Sequence, residues 1–161
     1  MSIKRLAVGL VIVLGVLAWY AFRPERLFID DTVNESLAAA APATAAEPVP
    51  LAHGTFHSNA HETTGDATIL SLADGRRILR LTSFSTSNGP DLRVYLVAAA
   101  DVTDDETVKQ AAFVELGLMK GNKGDQNYEV PATVDLAQYR TVTIWCKRFS
   151  VNFGSAPLTA S

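Results

Sequence analysis

The sequence has one cysteine, Cys146, and no surplus of basic charge. A single thiol excludes an intramolecular disulfide framework and a cysteine-based zinc site within one chain. Lys and Arg number 14 against 17 Asp and Glu, a net charge of −3. Nucleic-acid binding by counterion release needs a basic excess, so no nucleic-acid partner is expected. Charged residues make up only 19% and aromatics 8%, but hydrophobic residues reach 48%, so the composition is neither disordered nor collagen-like. A length of 161 residues allows one ordinary domain plus additions. No internal repeat occurs at solenoid periods. A Ser-His-Asp order, a phosphate-cradling glycine loop and a paired-carboxylate motif are also missing.

What is present begins at the amino end. Residues 6–22 form a seventeen-residue run without a charge. As a helix rising about 1.5 Å per residue it spans roughly 26 Å, slightly less than a hydrocarbon core of ~30 Å. Trp19 and Tyr20 extend it into the interface, where amphipathic rings sit well. Lys4 and Arg5 precede the run, which places the amino end in the cytoplasm and the rest outside. Arg23 and Arg26 follow and weaken that bias, partly offset by Asp30 and Asp31. The small residues a signal peptidase needs lie well beyond the run, at 38–40, so an uncleaved single-pass anchor over residues 1–23 is the reading. The lipid bilayer is then the partner of residues 6–22.

Residues 24–52 read as a juxtamembrane segment and linker. The apolar trio Leu27-Phe28-Ile29 precedes Asp30-Asp31, and the trio can rest on either the membrane or the domain. Residues 38–50 are alanine-rich, with prolines at 42, 48 and 50, which makes an extended spacer.

From His53 to the end, short β-favouring runs alternate with turn residues. This 109-residue module carries 10 basic and 12 acidic groups, or −2. Runs at 67–72 and 77–84 flank Ala73-Asp74-Gly75, a hairpin signal. Further strands are expected at 92–98, 112–119, 126–130, 142–149 and 150–153. Thr103-Asp104-Asp105-Glu106 has the spacing of a capping box and predicts a helical turn or two with Thr103 as the cap. The pattern predicts an all-β, antiparallel β-sandwich or barrel-like domain behind one N-terminal transmembrane helix.

Cys146 lies in Thr143-Ile144-Trp145-Cys146-Lys147-Arg148-Phe149. Strand alternation puts it on the face of Val142 and Ile144, which reads as a packed, inert thiol. Two features argue for a reactive one. Apolar parity switches after Cys146, as a bulge near Lys147-Arg148 would cause, and Lys147 or Arg148 can lower a thiol pKa if either folds back. A lone cysteine outside the cytoplasm also invites pairing with another molecule. His53, His57 and His61 recur every fourth residue, but on a strand each step separates them by about 13 Å, so no metal site is assigned. Ser85-Thr86-Ser87-Asn88-Gly89-Pro90-Asp91 is a dense turn cluster, either a hairpin loop or a sandwich corner. A polar stretch at 120–128 reads equally as connector or binding surface.

In this order the residues resemble the DM-thirteen domain, a family described as an electron-transfer domain. Matching pieces are Gly54-Thr55-Phe56, His61 followed by Gly65, and Arg80-Leu81 through Phe84. Asn88-Gly89-Pro90-Asp91-Leu92 with Val94-Tyr95-Leu96, and Gly121 with Gly124, continue the match. Ile144-Trp145-Cys146, Phe149, Phe153-Gly154 and Ala156-Pro157-Leu158 close it, so the likeness covers nearly all of 53–161. Leu27-Phe28-Ile29-Asp30 and Val33-Asn34-Glu35 look like the lead-in of membrane-anchored bacterial members. The resemblance implies an all-β extracytoplasmic module with a family-typical cysteine, here Cys146. In animals such domains accompany haem-binding cytochrome-type domains, the origin of the redox proposal for the family. No axial-ligand pair for haem stands out in this chain, and its cofactor is left unassigned.

Two functions follow. In the first, Cys146 is a redox thiol sheltered by Trp145 and Phe149, with Lys147 or Arg148 stabilising the thiolate, and a redox protein is the partner. In the second, the domain is a non-catalytic binding module, Cys146 is structural, and Asn88, Gly89, Pro90, Asp91 and the 120–128 stretch make the contact. Whether the sulfur can be reached divides them.

Overall fold

A computed structural model of the chain describes residues 3–22, 29–37 and 47–161. Helix α1 covers Ile3–Phe22. The strands that follow are β1 (Val49–Thr55), β2 (His57–Ser58), β3 (Thr64–Ser71), β4 (Arg77–Ser85) and β5 (Leu92–Val97). Helix α2 (Asp105–Gln110) leads to β6 (Phe113–Leu118), β7 (Lys123–Val130), β8 (Thr141–Cys146), β9 (Val151–Pro157) and β10 (Thr159–Ala160).

The strands form two antiparallel five-stranded sheets, ordered β10-β1-β3-β4-β7 and β2-β9-β8-β5-β6. The expected sandwich is adopted and the barrel-like alternative is not. β6 and β7 end their sheets on one side of the sandwich without pairing to each other. Residues 86–91 carry the chain from β4 in one sheet to β5 in the other, so the turn cluster is a sandwich corner.

Packing follows the alternation of side chains. Ile69, Leu79, Leu81, Phe84, Val94, Leu96, Ile144 and Cys146 fill the space between the sheets. On the opposite face of the second sheet, Tyr95, Val97 and Trp145 pack with Val102 and Val108 of the α2 region. A strand covered on both faces needs apolar residues at both parities, which explains why β5 reads as a near-continuous apolar run. Among the described residues no helix is long and apolar enough to cross a membrane. The side chains of α1 described without interruption run from Ala7 to Tyr20, about 21 Å of helix against a ~30 Å hydrocarbon core.

Three local expectations need correction. α2 is capped by Asp104, not Thr103: the Asp104 carboxylate accepts from the Thr107 amide at 2.7 Å, a charged acceptor aimed at the helix start. No bulge lies at Lys147-Arg148. Residues 147–150 instead make a hairpin turn that sets Cys146 opposite Val151, and Ser150 takes φ +54° there. The register shift lies deeper, between Ile144 and Trp145. β7 starts at Lys123, three residues earlier than read, because its polar residues Lys123, Asp125 and Asn127 find partners.

Those partners include residues 29–36, an extended strap along the outer edge of β7. Thr32 bridges Lys123 in parallel, and the Val33 and Glu35 amides donate to the Lys123 and Asp125 carbonyls at 3.0 and 2.9 Å. The Lys123 amide donates back to Asp31 O at 3.3 Å. Leu27 and Phe28 of the apolar trio lie outside the described residues; its last member, Ile29, is exposed.

Candidate functional site: a cleft and a buried thiol

β8 ends at Cys146, paired with Leu92 on one side and Val151 on the other. The thiol has no solvent exposure and belongs to the core between the sheets. Trp145, its neighbour in sequence, points to the opposite face of the sheet and packs beneath α2, so it does not shelter the sulfur. Phe149 is 66% exposed on the 147–150 turn. Lys147 and Arg148 are exposed as well, and Lys147 Nζ reaches Glu115 at 3.2 Å. The roles read for these four residues as the surroundings of a reactive thiolate are therefore not brought together.

The two loops do come together. Residues 88–92 and 118–122 are facing walls of a cleft of about 600 Å³, and residues 29–31 complete its rim. Asn88, Gly89, Pro90 and Asp91 all line it. The 88–92 wall is held by the Lys147 amide, which donates to Asp91 O at 2.9 Å, and is tied to the facing wall by the Met119 amide, which donates to Leu92 O at 2.9 Å. Cys146 is the strand partner of Leu92, the last residue of the 88–92 wall. Leu92 is among the residues that line the cleft; Cys146 is not.

The other wall is built on Gln126, a fully buried side chain. Its Oε1 accepts from the Lys120 amide at 3.1 Å and from the Tyr128 hydroxyl at 2.7 Å, while its Nε2 donates to Gly121 O at 2.8 Å. Burial pushes the Tyr128 hydroxyl far above the ordinary tyrosine range, so it stays a neutral donor. Asn122 does equivalent work next door: its Nδ2 donates to Thr86 O at 3.1 Å and to Asp30 Oδ1 at 2.9 Å. Gln126 shares core parity with Tyr128 and Val130, and a polar residue at a core position was the signal for this anchor.

Charge surrounds the cleft mouth. Arg93 bridges Asp91 and Glu115, each at 2.6 Å. Burial acts to raise the Glu115 carboxyl, but hydrogen bonds from Lys147 and Arg93 outweigh it and hold the group low. Behind Glu115, Tyr95 is pushed up to about 12, first by burial and then by that carboxylate. A smaller cavity of about 300 Å³ lies on the far side of Asn88 and Asn122, with Glu62 and Lys123 in its lining. The histidines are scattered: His57 Nε2 meets Asp101 at 2.8 Å, and His61 stacks on Phe153 at 3.7 Å. No cluster of metal-ligating side chains occurs among the described residues.

Comparison with known proteins adds one finding. The family model described as Electron transfer DM13 matches residues 55–158, which takes in every strand from β2 to β9 and both cleft walls. Neither a curated protein nor a solved structure matches the chain. With its two-sheet sandwich and a family match over most of its length, the chain belongs to the electron transfer DM13 family.

Proposed function

We propose that the chain is a single-pass membrane protein whose DM13 domain works outside the cytoplasm through the cleft between residues 88–92 and 118–122, and not through the Cys146 sulfur. The observation that carries this reading is the complete burial of Cys146 in the core between the sheets, outside the residues that line the cleft. Thiol–disulfide exchange needs a thiolate that a partner sulfur can approach in line, and a packed core thiol offers no such approach. A cleft with amide, carboxylate and apolar walls fits a partner protein or small ligand better. Electron transfer then belongs to the complex: the partner brings the redox centre, and this domain docks it.

The anchor rests on the amino end. The described apolar side chains of α1 are 54–77% exposed, on successive residues and therefore all round the helix. Lipid around residues 6–22 is the covering such a surface needs. Lys4 and Arg5 keep the amino end cytoplasmic.

One observation favours the rival reading, in which Cys146 is the redox group: its strand partner Leu92 belongs to the 88–92 wall of the cleft. If that wall lifted, the thiolate would attack a partner disulfide, form a mixed disulfide and release the partner's other sulfur as a thiolate. A second thiol would complete the cycle.

Maleimide labelling of the full chain in detergent separates the two. The cleft reading expects no labelling of the native protein and complete labelling once it is unfolded. Rapid native labelling would overturn it in favour of the thiol. Alkaline carbonate extraction of membranes tests the anchor, with the chain expected in the pellet.

A further inference from the structure

We propose that the outer edge of β7, with the loop before it, is a binding site for an extended acidic strand, and that its ligand is the chain's own segment 29–36, whose docking fixes how far the domain stands from the bilayer. The tether consequence rests on the anchor reading; the docking does not.

The site is built for this ligand. Besides the backbone bonds, Lys120 Nζ holds both oxygens of the Glu35 carboxylate at 2.8 Å, and the Asn127 amide donates to the same group at 2.7 Å. Arg80 reaches past β7 to donate to Glu35 O at 3.0 Å, and Asn127 Nδ2 donates to Ser36 O at 3.1 Å. At the other end Lys123 Nζ pairs with Asp30 at 2.5 Å, and Asn88 Nδ2 donates to Ile29 O at 2.6 Å. Asn122 serves both the strap and the cleft wall, accepting from the Asp31 amide at 2.7 Å. Such bonds between residues 45 to 93 apart in sequence amount to strand addition: main chain for affinity, side chains for register and charge.

Two glycines make room. At Gly121 a Cβ would run into Asp31 O and come within 2.9 Å of Val33 Cγ2, and each of its nearest neighbours belongs to the strap. At Gly124, where φ is +92°, a Cβ would strike Val33 O. The spacing Gly-x-x-Gly in this edge is thus the footprint of the strap.

Docking sets reach. Seven Cα–Cα steps separate Phe22 from Ile29, at most about 25 Å of chain whatever its conformation. With the strap released, the first held residue is near Glu47, and 25 steps allow up to about 90 Å. The alanine- and proline-rich stretch would then count towards the reach of the tether; with the strap docked, only residues 23–28 lie between α1 and the first held residue.

Hydrogen–deuterium exchange on the full chain in lipid nanodiscs tests the docking at the Val33 and Glu35 amides. In the wild type both should exchange at least ~100-fold more slowly than unstructured amides. Gly121→Ala should bring them to within ~10-fold of that limit while the Val94 and Ile144 amides stay protected. Glu35→Lys should do the same, and Glu35→Lys with Lys120→Glu should restore protection, which keeps the test decisive if Gly121→Ala does not fold. Wild-type amides at the unstructured rate, or full protection in both single variants, would overturn the proposal. Energy transfer from a dye at Ser161→Cys to an acceptor in the bilayer should fall on release, and an unchanged signal would overturn the tether. A chain stripped from membranes by carbonate with its strap still protected would sink the anchor and leave the docking standing.

Discussion

The two sandwich edges that lie side by side, β7 and β6, solve one problem in different ways. An open edge offers unpaired amides and carbonyls to any passing strand. At β7 the chain supplies its own strand, so the edge is paired, charged and closed by residues 29–36. β6 receives no such cover among the described residues. It is six residues long, its pairing with β5 shifts register between Val94 and Tyr95, and its exposed Phe113 lies flat on Tyr95 at 4.5 Å and 3°. Shortness and a bulge discourage added strands without closing the edge. The contrast teaches where a partner can enter: by displacing a ligand at β7, or by simple contact at β6.

Removing the inner support of the guarded edge should have the largest effect. Gln126→Leu strands the Gly121 carbonyl and amide and takes the acceptor from the Tyr128 hydroxyl, and should cost about 3 kcal/mol, read as a lower urea midpoint. An unchanged midpoint would mean that the edge owes nothing to its buried amide.

Acid should open the β7 edge before it unpairs the sheets. Asp30 is held below the ordinary carboxylate range chiefly by the hydrogen bond from Lys123 and then by Asn122. At Glu35 partial burial works upward, but hydrogen bonds from Lys120 and the Asn127 amide prevail, with Arg80 adding its charge. Asp125 on β7 and Glu62 beside the smaller cavity are the acidic groups nearby, the first paired to Arg80 at 2.7 Å. Carboxyls lowered in the docked state add stability above an unfolded pKa of about 4 and lose it as pH falls through the docked value. Strap amides should therefore stay protected at neutral pH and lose protection below pH ~4, ahead of Val94 and Ile144. Loss of all protection at one pH would erase the distinction between strap and core.

At β6, Phe113→Ala should remove the stack on Tyr95 at a cost of about 1 kcal/mol, without changing exchange at Val33 or Glu35. Lys147→Ala, which deletes the exposed pair with Glu115, should shift stability by less than ~0.5 kcal/mol in a denaturant titration.

The comparison also explains what the sequence could disclose. β3 and β4 were legible because Asp74-Gly75 supplies a turn and alternation does the rest; β5 and β8 were legible from apolar content alone. The strap was not. Asp30-Asp31-Thr32-Val33-Asn34-Glu35 has no apolar period, and its meaning lies in partners some 90 residues away. For the same reason the first half of β7 read as a flexible polar loop. At the site, both loops were identified but their meeting was not, since it depends on how the sheets stack. Cys146 was read correctly as sharing a face with Val142 and Ile144, and that parity, not the neighbouring Lys147 and Arg148, decided its burial.

The docked strap means that similarity and structure disagree about where this domain starts. The family match opens at residue 55, but the sheet continues into a segment more than twenty residues upstream. A recombinant fragment cut at the family boundary would carry a bare β7 edge with its lysines and glycines in place and nothing to fill them. Such a fragment would meet its neighbours in solution edge to edge, whereas one that opens at Ile29 brings its own stopper.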